Sequence, residues 1–235
     1  MPPDPARTLP QPGLRALPRR LDPLRAGAPG WLASGLGCAV AVRGCVALVD
    51  RPVAVFFSHG LGPEELGPLL EQMPALLPLA VVGFALAIAW AAWRGPAMRR
   101  LAIRLAVVAG AYALAVAAKG VAKPLFGRSW PQSWGPDSLS YLGDGAYGFH
   151  PFHVSLSYGS FPSGHMCATM AMVVAAWAAW PGLWRLWGAV AAGMAGLLVG
   201  FDFHFVSDVL AGAWLGTLCG VGAVKAARRL RPDAL

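Results

Sequence analysis

Six stretches of the chain are almost continuously apolar, at about 31–49, 74–93, 101–122, 162–180, 184–201 and 207–224. Each holds about 18–22 residues. Coiled as an α-helix, that length crosses the roughly 30 Å of hydrocarbon in a bilayer. The pattern predicts an all-α fold: a polytopic membrane protein built as a six-transmembrane-helix bundle. The first stretch is the weakest, because it contains Arg43. A charge inside a span costs several kcal/mol unless it faces protein, water or headgroups.

The polar segments between these stretches orient the bundle. Residues 1–29 are rich in Pro and Arg and hold no apolar run, which predicts a disordered basic tail. They do not read as a signal peptide: the first apolar stretch comes too late and no clear small-residue cleavage site follows it. The membrane domain then occupies 30–225, with its chemistry within about 100–224, and a second basic tail covers 226–235. Of the 19 basic residues, 14 fall in the N-terminal tail, at 94–104, at Arg185 and at 225–231, all on one side. The positive-inside rule puts that side, with both termini, in the cytoplasm. The opposite side carries residues 50–73, 123–161 and 202–206, with most of the acidic residues and four of the five histidines; the fifth, His165, lies at the start of the fourth stretch on the same side. Chemistry is therefore expected on the outer face. The long segment 123–161, rich in Gly, Pro, Ser and aromatics, predicts an ordered irregular cap; connections of that length inside a compact domain are usually functional.

Composition narrows the class further. Hydrophobic residues make up 57% and charged residues 13%, against about 25% charged in a soluble domain. With a mean hydropathy of +0.55, this excludes a disordered chain, a nucleic-acid binder and an ordinary soluble enzyme. The net charge of +8 belongs to the cytoplasmic flanks. Cys38, Cys45, Cys167 and Cys219 lie far apart within apolar stretches and form no Cys-x-x-Cys pair, so they read as small buried residues.

Three segments on the outer side carry chemistry. Phe161-Pro162-Ser163-Gly164-His165 opens the fourth span. Pro162 suits a first helical turn, Ser163 and Gly164 offer a hydroxyl and backbone N–H groups to an anion, and His165 offers an acid or base. A plain helix cap fits the same residues equally well. His204 and Asp208 open the sixth span at i, i+4, a spacing that shares one face of a helix. A carboxylate there holds one ring nitrogen and frees the other as a nucleophile. Lys123 and Arg128 follow the third span as cations suited to phosphate oxygens, or to anchoring the helix end among headgroups.

Together these segments resemble the type 2 phosphatidic acid phosphatase (PAP2) superfamily of membrane phosphatases. Its pattern is Lys-x6-Arg-Pro, then Pro-Ser-Gly-His, then Ser-Arg-x5-His-x3-Asp, and the resemblance covers about residues 100–224. It implies a six-helix membrane bundle with the site at the outer edge. It also implies that His204 attacks phosphorus to form a phosphohistidine, Asp208 orients it, and His165 protonates the leaving oxygen and then activates water. Lys123, Ser163 and the Gly164 N–H would hold the phosphoryl oxygens. The resemblance implies no metal and no cofactor, and the outer segments show neither a dense carboxylate cluster nor a His-Glu-x-x-His pattern.

Two positions depart from the family. Trp130 stands where the first arginine belongs, before Pro131, and Leu198 stands where the second does. A phosphoryl transition state is stabilised largely by such charges. Arg128, two residues before Trp130, is the expected stand-in, sharing its face in an extended segment. Trp130 and Trp134 are expected as interfacial aromatics at the lipid-side mouth. His150 and His153 are a metal pair, substrate contacts or structural residues; Tyr141, Asp144 and Tyr147 shape the cap; Asp202 pairs with Arg128 or Lys123, or caps the sixth span.

The expected activity is hydrolysis of a phosphomonoester or diphosphate of a lipid in a bacterial inner membrane, on the periplasmic face. The partners are the bilayer and a phosphorylated lipid such as phosphatidate, phosphatidylglycerophosphate, a polyprenyl diphosphate or a lipid A type; no nucleic acid is involved. The alternatives are a silent relative that binds a phosphorylated lipid, which the missing arginines favour, and a small transporter.

Overall fold

The computed structural model of the chain describes residues 27–58, 85–90, 93–133 and 139–231. Among them the regular structure is helical, with only isolated bridges joining Arg128 to Phe149 and Gly159, and Trp130 to Ser140. Helix α1 covers Ala28–Leu48 and α2 covers Asp50–Phe57. The long α3 runs Pro96–Phe126, the single turn α4 spans Tyr141–Asp144, and α5 spans Gly164–Ala179. Two further long helices close the chain: α6 at Trp184–Gly200 and α7 at Val206–Leu230. Residues 85–90 are also helical. The expected tail at 1–26, most of the second expected span, the outer segment 59–73, Trp134 and residues 232–235 lie outside the described residues.

Four helical segments are long and apolar enough to cross a membrane: Ala28–Leu48, Met98–Phe126, Pro181–Gly200 and Val206–Leu230. The fourth expected span is the 16-residue α5, apolar but shorter. At 1.5 Å per residue it reaches about 24 Å, less than the hydrocarbon thickness. The count of six spanning helices is thus not what the described residues contain.

Helix ends shift the expected placement of three motif residues. The helix of the third span continues through Pro124 to Phe126, so Lys123 lies in its last turn rather than after it. Gly127 ends it at φ +49, with its N–H on the Lys123 carbonyl. A Cβ there would fall 1.9 Å from the His150 carbonyl oxygen, so both conformation and space require glycine. Pro162 precedes α5 instead of opening it, because Ser163 is the N-cap, its hydroxyl accepting from the Met166 N–H at 3.3 Å. His204 stands two residues before α7, so it and Asp208 do not share a helical face.

α5 is the buried centre of the bundle, and α3, α6 and α7 pack around it. Val107, Ala111 and Ala115 of α3 meet Cys167, Ala171 and Ala175 of α5 and Cys219 and Val224 of α7. Met166, Leu198 and Val209 form a second cluster that brings in α6. The small side chains let backbones approach closely. Gly212, Gly216 and Gly220 recur every fourth residue along α7. A Cβ on each would meet the Ser163, Cys167 and Ala171 carbonyl oxygens of α5 at 2.5, 2.2 and 2.7 Å. This small-residue seam is a helix-packing device of membrane proteins.

The outside of the bundle is apolar. α1 has no buried residue and packs through Gly35 against the Trp214 ring of α7. Leu32, Leu36, Val121, Leu186 and Leu197 are at least half exposed. In water such surfaces would drive aggregation; facing hydrocarbon they cost nothing. These helices are compatible with a multi-pass membrane protein. Of the four cysteines, Cys167 and Cys219 are buried, whereas Cys38 and Cys45 are only partly covered.

Candidate active site

The start of α5, the turn before α7 and the last turns of α3 converge at one end of the bundle. The Ser163 N–H donates to the Asp208 carbonyl at 3.0 Å, which ties the first two together. The glycine seam then sets their separation along the helices.

His204 is buried, its ring held from one side. Its Nδ1 lies 3.6 Å from Asp208 Oδ2 and 3.4 Å from the Ser160 hydroxyl. Ser160 in turn donates to Asp208 Oδ2 at 2.6 Å, and the Phe205 N–H donates to the same oxygen at 3.1 Å. Asp208 therefore both steadies the imidazole and caps α7. Burial pulls the His204 pKa below its ordinary value, and Asp208 offsets only part of that. Burial thus favours the neutral ring, with Nδ1 turned to the carboxylate and Nε2 left for other chemistry. The His165 ring lies 6.3 Å from it, centroid to centroid, on an exposed side chain.

The cations are arranged differently from expectation. Lys123 Nζ donates to the Gly159 carbonyl at 2.5 Å and lies 5.2 Å over the Trp130 ring. Trp130 packs against His204 with ring centroids 5.3 Å apart and the planes tilted by 40°, so this ring lies beside the histidine. Leu198, at the other altered position, is buried in the second apolar cluster, and its carbonyl accepts from the His204 N–H at 3.0 Å. Lys119, one turn before Lys123, was not singled out in the sequence. Its side chain crosses the face of Gly164, where a Cβ would lie 2.8 Å from Cδ and 3.2 Å from Nζ. It has no hydrogen bond or ion pair among the described residues. The i, i+4 spacing of Lys119 and Lys123 was the available signal.

Arg128 is fully buried behind Asp208. Nη1 donates to Asp208 Oδ1 and to Ser207 Oγ, each at 2.5 Å. Nη2 donates to Asp50 Oδ2 at 2.8 Å and to the Tyr147 hydroxyl at 3.3 Å. Burial works against its charge, but Asp208 and Asp50 outweigh that and hold its pKa above the ordinary value. All four terminal N–H bonds are engaged, so the fork expected for phosphate is occupied by carboxylates. The cap closes over it: Tyr147 donates to the Val46 carbonyl at 2.6 Å and packs edge-on against Phe205 and Tyr141. Asp144 accepts from Ser140 within α4's own turn.

His150 and His153 are exposed and gather around Tyr158, with ring centroids 6.2 Å apart. Among the described residues no three His, Cys, Asp or Glu side chains come together in a metal-binding group. Asp202 is buried at φ +51 in the turn before His204, and burial raises its pKa to about 7.

A bundle of apolar helices that brings a buried His–Asp pair, a second histidine and two lysines to one end defines a helical protein of membrane type with a site suited to an anion. The PAP2 superfamily model matches residues 104–232, just over half of the chain, and the chain belongs to that superfamily. The match spans most of α3 through α7 and leaves α1 and α2 outside it. No curated protein and no solved structure gives a significant match.

Proposed function

We propose that this protein is a metal-independent phosphatase of an integral membrane bundle of six spans. It hydrolyses a phosphomonoester or diphosphate of a lipid at the outer face of a bacterial inner membrane. The observation that carries the reading is the buried His204, its Nδ1 on Asp208 and Ser160 and its other nitrogen directed away from them. In the first step His204 Nε2 forms a bond to phosphorus while the bond to the lipid oxygen breaks, and His165 gives that oxygen a proton. In the second step His165 takes a proton from water, whose oxygen attacks phosphorus as the N–P bond breaks. Inorganic phosphate leaves and His204 is restored.

The negative charge on the equatorial oxygens needs positive partners. Lys123 and Lys119 supply them, with the first-turn N–H groups of α5 at Gly164 and His165, which have no intrahelical acceptor. Ser163 contributes as the cap that shapes this turn. Trp130 gives the site a flat apolar wall in place of the family's arginine.

A catalytically silent lipid-phosphate binder is the second reading, favoured by Leu198 in an apolar cluster and by Arg128 with no terminal N–H left over. Release of inorganic phosphate decides between them. The purified full chain is offered phosphatidate, phosphatidylglycerophosphate, undecaprenyl diphosphate and lipid A, with His204→Ala as control and with EDTA present. Turnover that survives EDTA and falls by several orders of magnitude in the control supports hydrolysis. Binding without release from any of the four supports the silent reading.

A further inference from the structure

Asp50 lies outside the residues that match the family, at the start of α2, and is buried at 1% exposure. A carboxylate so deeply buried persists only when it is fully paired. Its Oδ1 accepts from the Ser207 N–H at 3.0 Å, and its Oδ2 from Ser207 Oγ at 2.5 Å and Arg128 Nη2 at 2.8 Å. Arg128 then reaches Asp208, and Asp208 reaches His204. One guanidinium thus sits between two carboxylates, pressed by the rings of Phe205 at 4.3 Å and Phe149 at 4.8 Å.

We propose that Asp50 is a positioning residue of the hydrolytic site: through Arg128 it fixes the Asp208 carboxylate that orients His204, which makes the α1–α2 pair part of the catalytic unit. This rests on the hydrolytic reading above. The physical reason is charge sharing. Facing Asp208 alone, Arg128 would cancel most of the carboxylate's field at His204. Asp50 takes half of the fork, so the buried group of two carboxylates and one guanidinium keeps a net negative charge beside the imidazole. Positive charge develops on that ring when its far nitrogen attacks phosphorus, and the residual negative charge stabilises it. The division of the fork also fixes its plane, and with it the direction of Asp208.

The other charged or titratable groups facing His204 are Lys123 from α3, with Lys119 a turn behind it, and His165 from α5. Asp202 lies in its own turn. Among the described residues Lys123, Lys119 and His165 make no hydrogen bond or ion pair with Asp50, so removing Asp50 acts on the field at His204 through Arg128 and Asp208, and by its own lost charge. Both changes have the same sign: the imidazolium becomes harder to form.

The test uses the full chain in detergent with phosphate release as readout. Asp50→Asn is expected to lower kcat by about 10- to 100-fold, the usual effect of losing an outer partner of a reacting group, with KM changed less than about twofold. In protein carrying ¹³C-labelled histidine, the His204 resonance (identified by its absence in His204→Ala) is expected to titrate at lower pH in Asp50→Asn. Asp50→Glu keeps the carboxylate and is expected to restore part of the kcat and of the His204 midpoint that Asp50→Asn loses. A loss of turnover in Asp50→Asn that only tracks lowered thermal stability, with the His204 midpoint unmoved, would make the network a packing device only and overturn the proposal, as would Asp50→Asn at the parent rate. A parent that releases no phosphate would instead sink the hydrolytic reading, and the resonance would still report whether Asp50 acts on His204.

Discussion

Gly216→Ala tests whether the separation of α5 and α7 sets the chemistry. A methyl group at Gly216 would lie 2.2 Å from the Cys167 carbonyl oxygen and 2.9 Å from both the Cys167 carbonyl carbon and Met170 Cβ. The nearest atoms are helix backbone and cannot swing aside as a side-chain tip does. Reaching ordinary contact at 3.4 Å requires the helices to part locally by about 1.2 Å. Overpacking costs about 1–3 kcal/mol, and a contact this short belongs at the upper end. Alanine returns up to about 1 kcal/mol in helix propensity. The expected net destabilisation is about 2 kcal/mol, read as a lowered melting temperature in detergent. Turnover is expected to fall further than stability does, because the seam joins the helix of His165 to the helix of Asp208. A misplacement of about 1 Å at a reacting centre costs about 100-fold. Gly193→Ala is the control, since a Cβ there meets nothing within 4 Å. If Gly216→Ala melts and turns over like the parent, the close approach of the two helices does not control the site.

Gly164→Ala is the contrasting case: its methyl group would displace only the flexible Lys119 side chain. Thermal stability should hold while phosphate release falls by about 100- to 1000-fold, the scale of losing one preorganised donor. Because burial depresses the His204 pKa, the acid limb of the kcat profile should lie below the ordinary histidine value of about 6.5. The same depression makes stability fall as pH drops from about 6.5 toward the folded pKa, since there the unfolded chain binds the extra proton; His204→Ala should flatten that part of a melting-temperature profile. Asp202 has the opposite sense. Its pKa is raised to about 7, so stability declines between about pH 4 and pH 7 as the unfolded carboxylate ionises first. Asp202→Asn, which tolerates the positive φ, should melt higher than the parent at pH 8 and show a smaller difference at pH 4.

The sequence by itself determined that the chain folds as apolar helices, because uninterrupted apolar runs leave no other way to satisfy the backbone. It also carried the motif order, since Pro-Ser-Gly-His and His-x3-Asp are local patterns. The four-residue spacing of Gly212, Gly216 and Gly220 is also a local pattern, but no seam was read from it; the packing of α7 on α5 is what reveals it. What the sequence did not decide was every contact made across the bundle. Arg128 was read as a phosphate ligand from its place beside Trp130, yet its partners lie 78 and 80 residues away at Asp50 and Asp208. Asp50 carried no motif, and its bond to the Ser207 N–H spans 157 residues. Trp130 faces His204, and Lys119 crosses Gly164, only because α3, α5 and α7 pack at one end. Local spacing places side chains that share a helical face within about four residues. Which buried charges neutralise one another is settled only when separate helices close around them, because a charge without a partner there is too costly to remain.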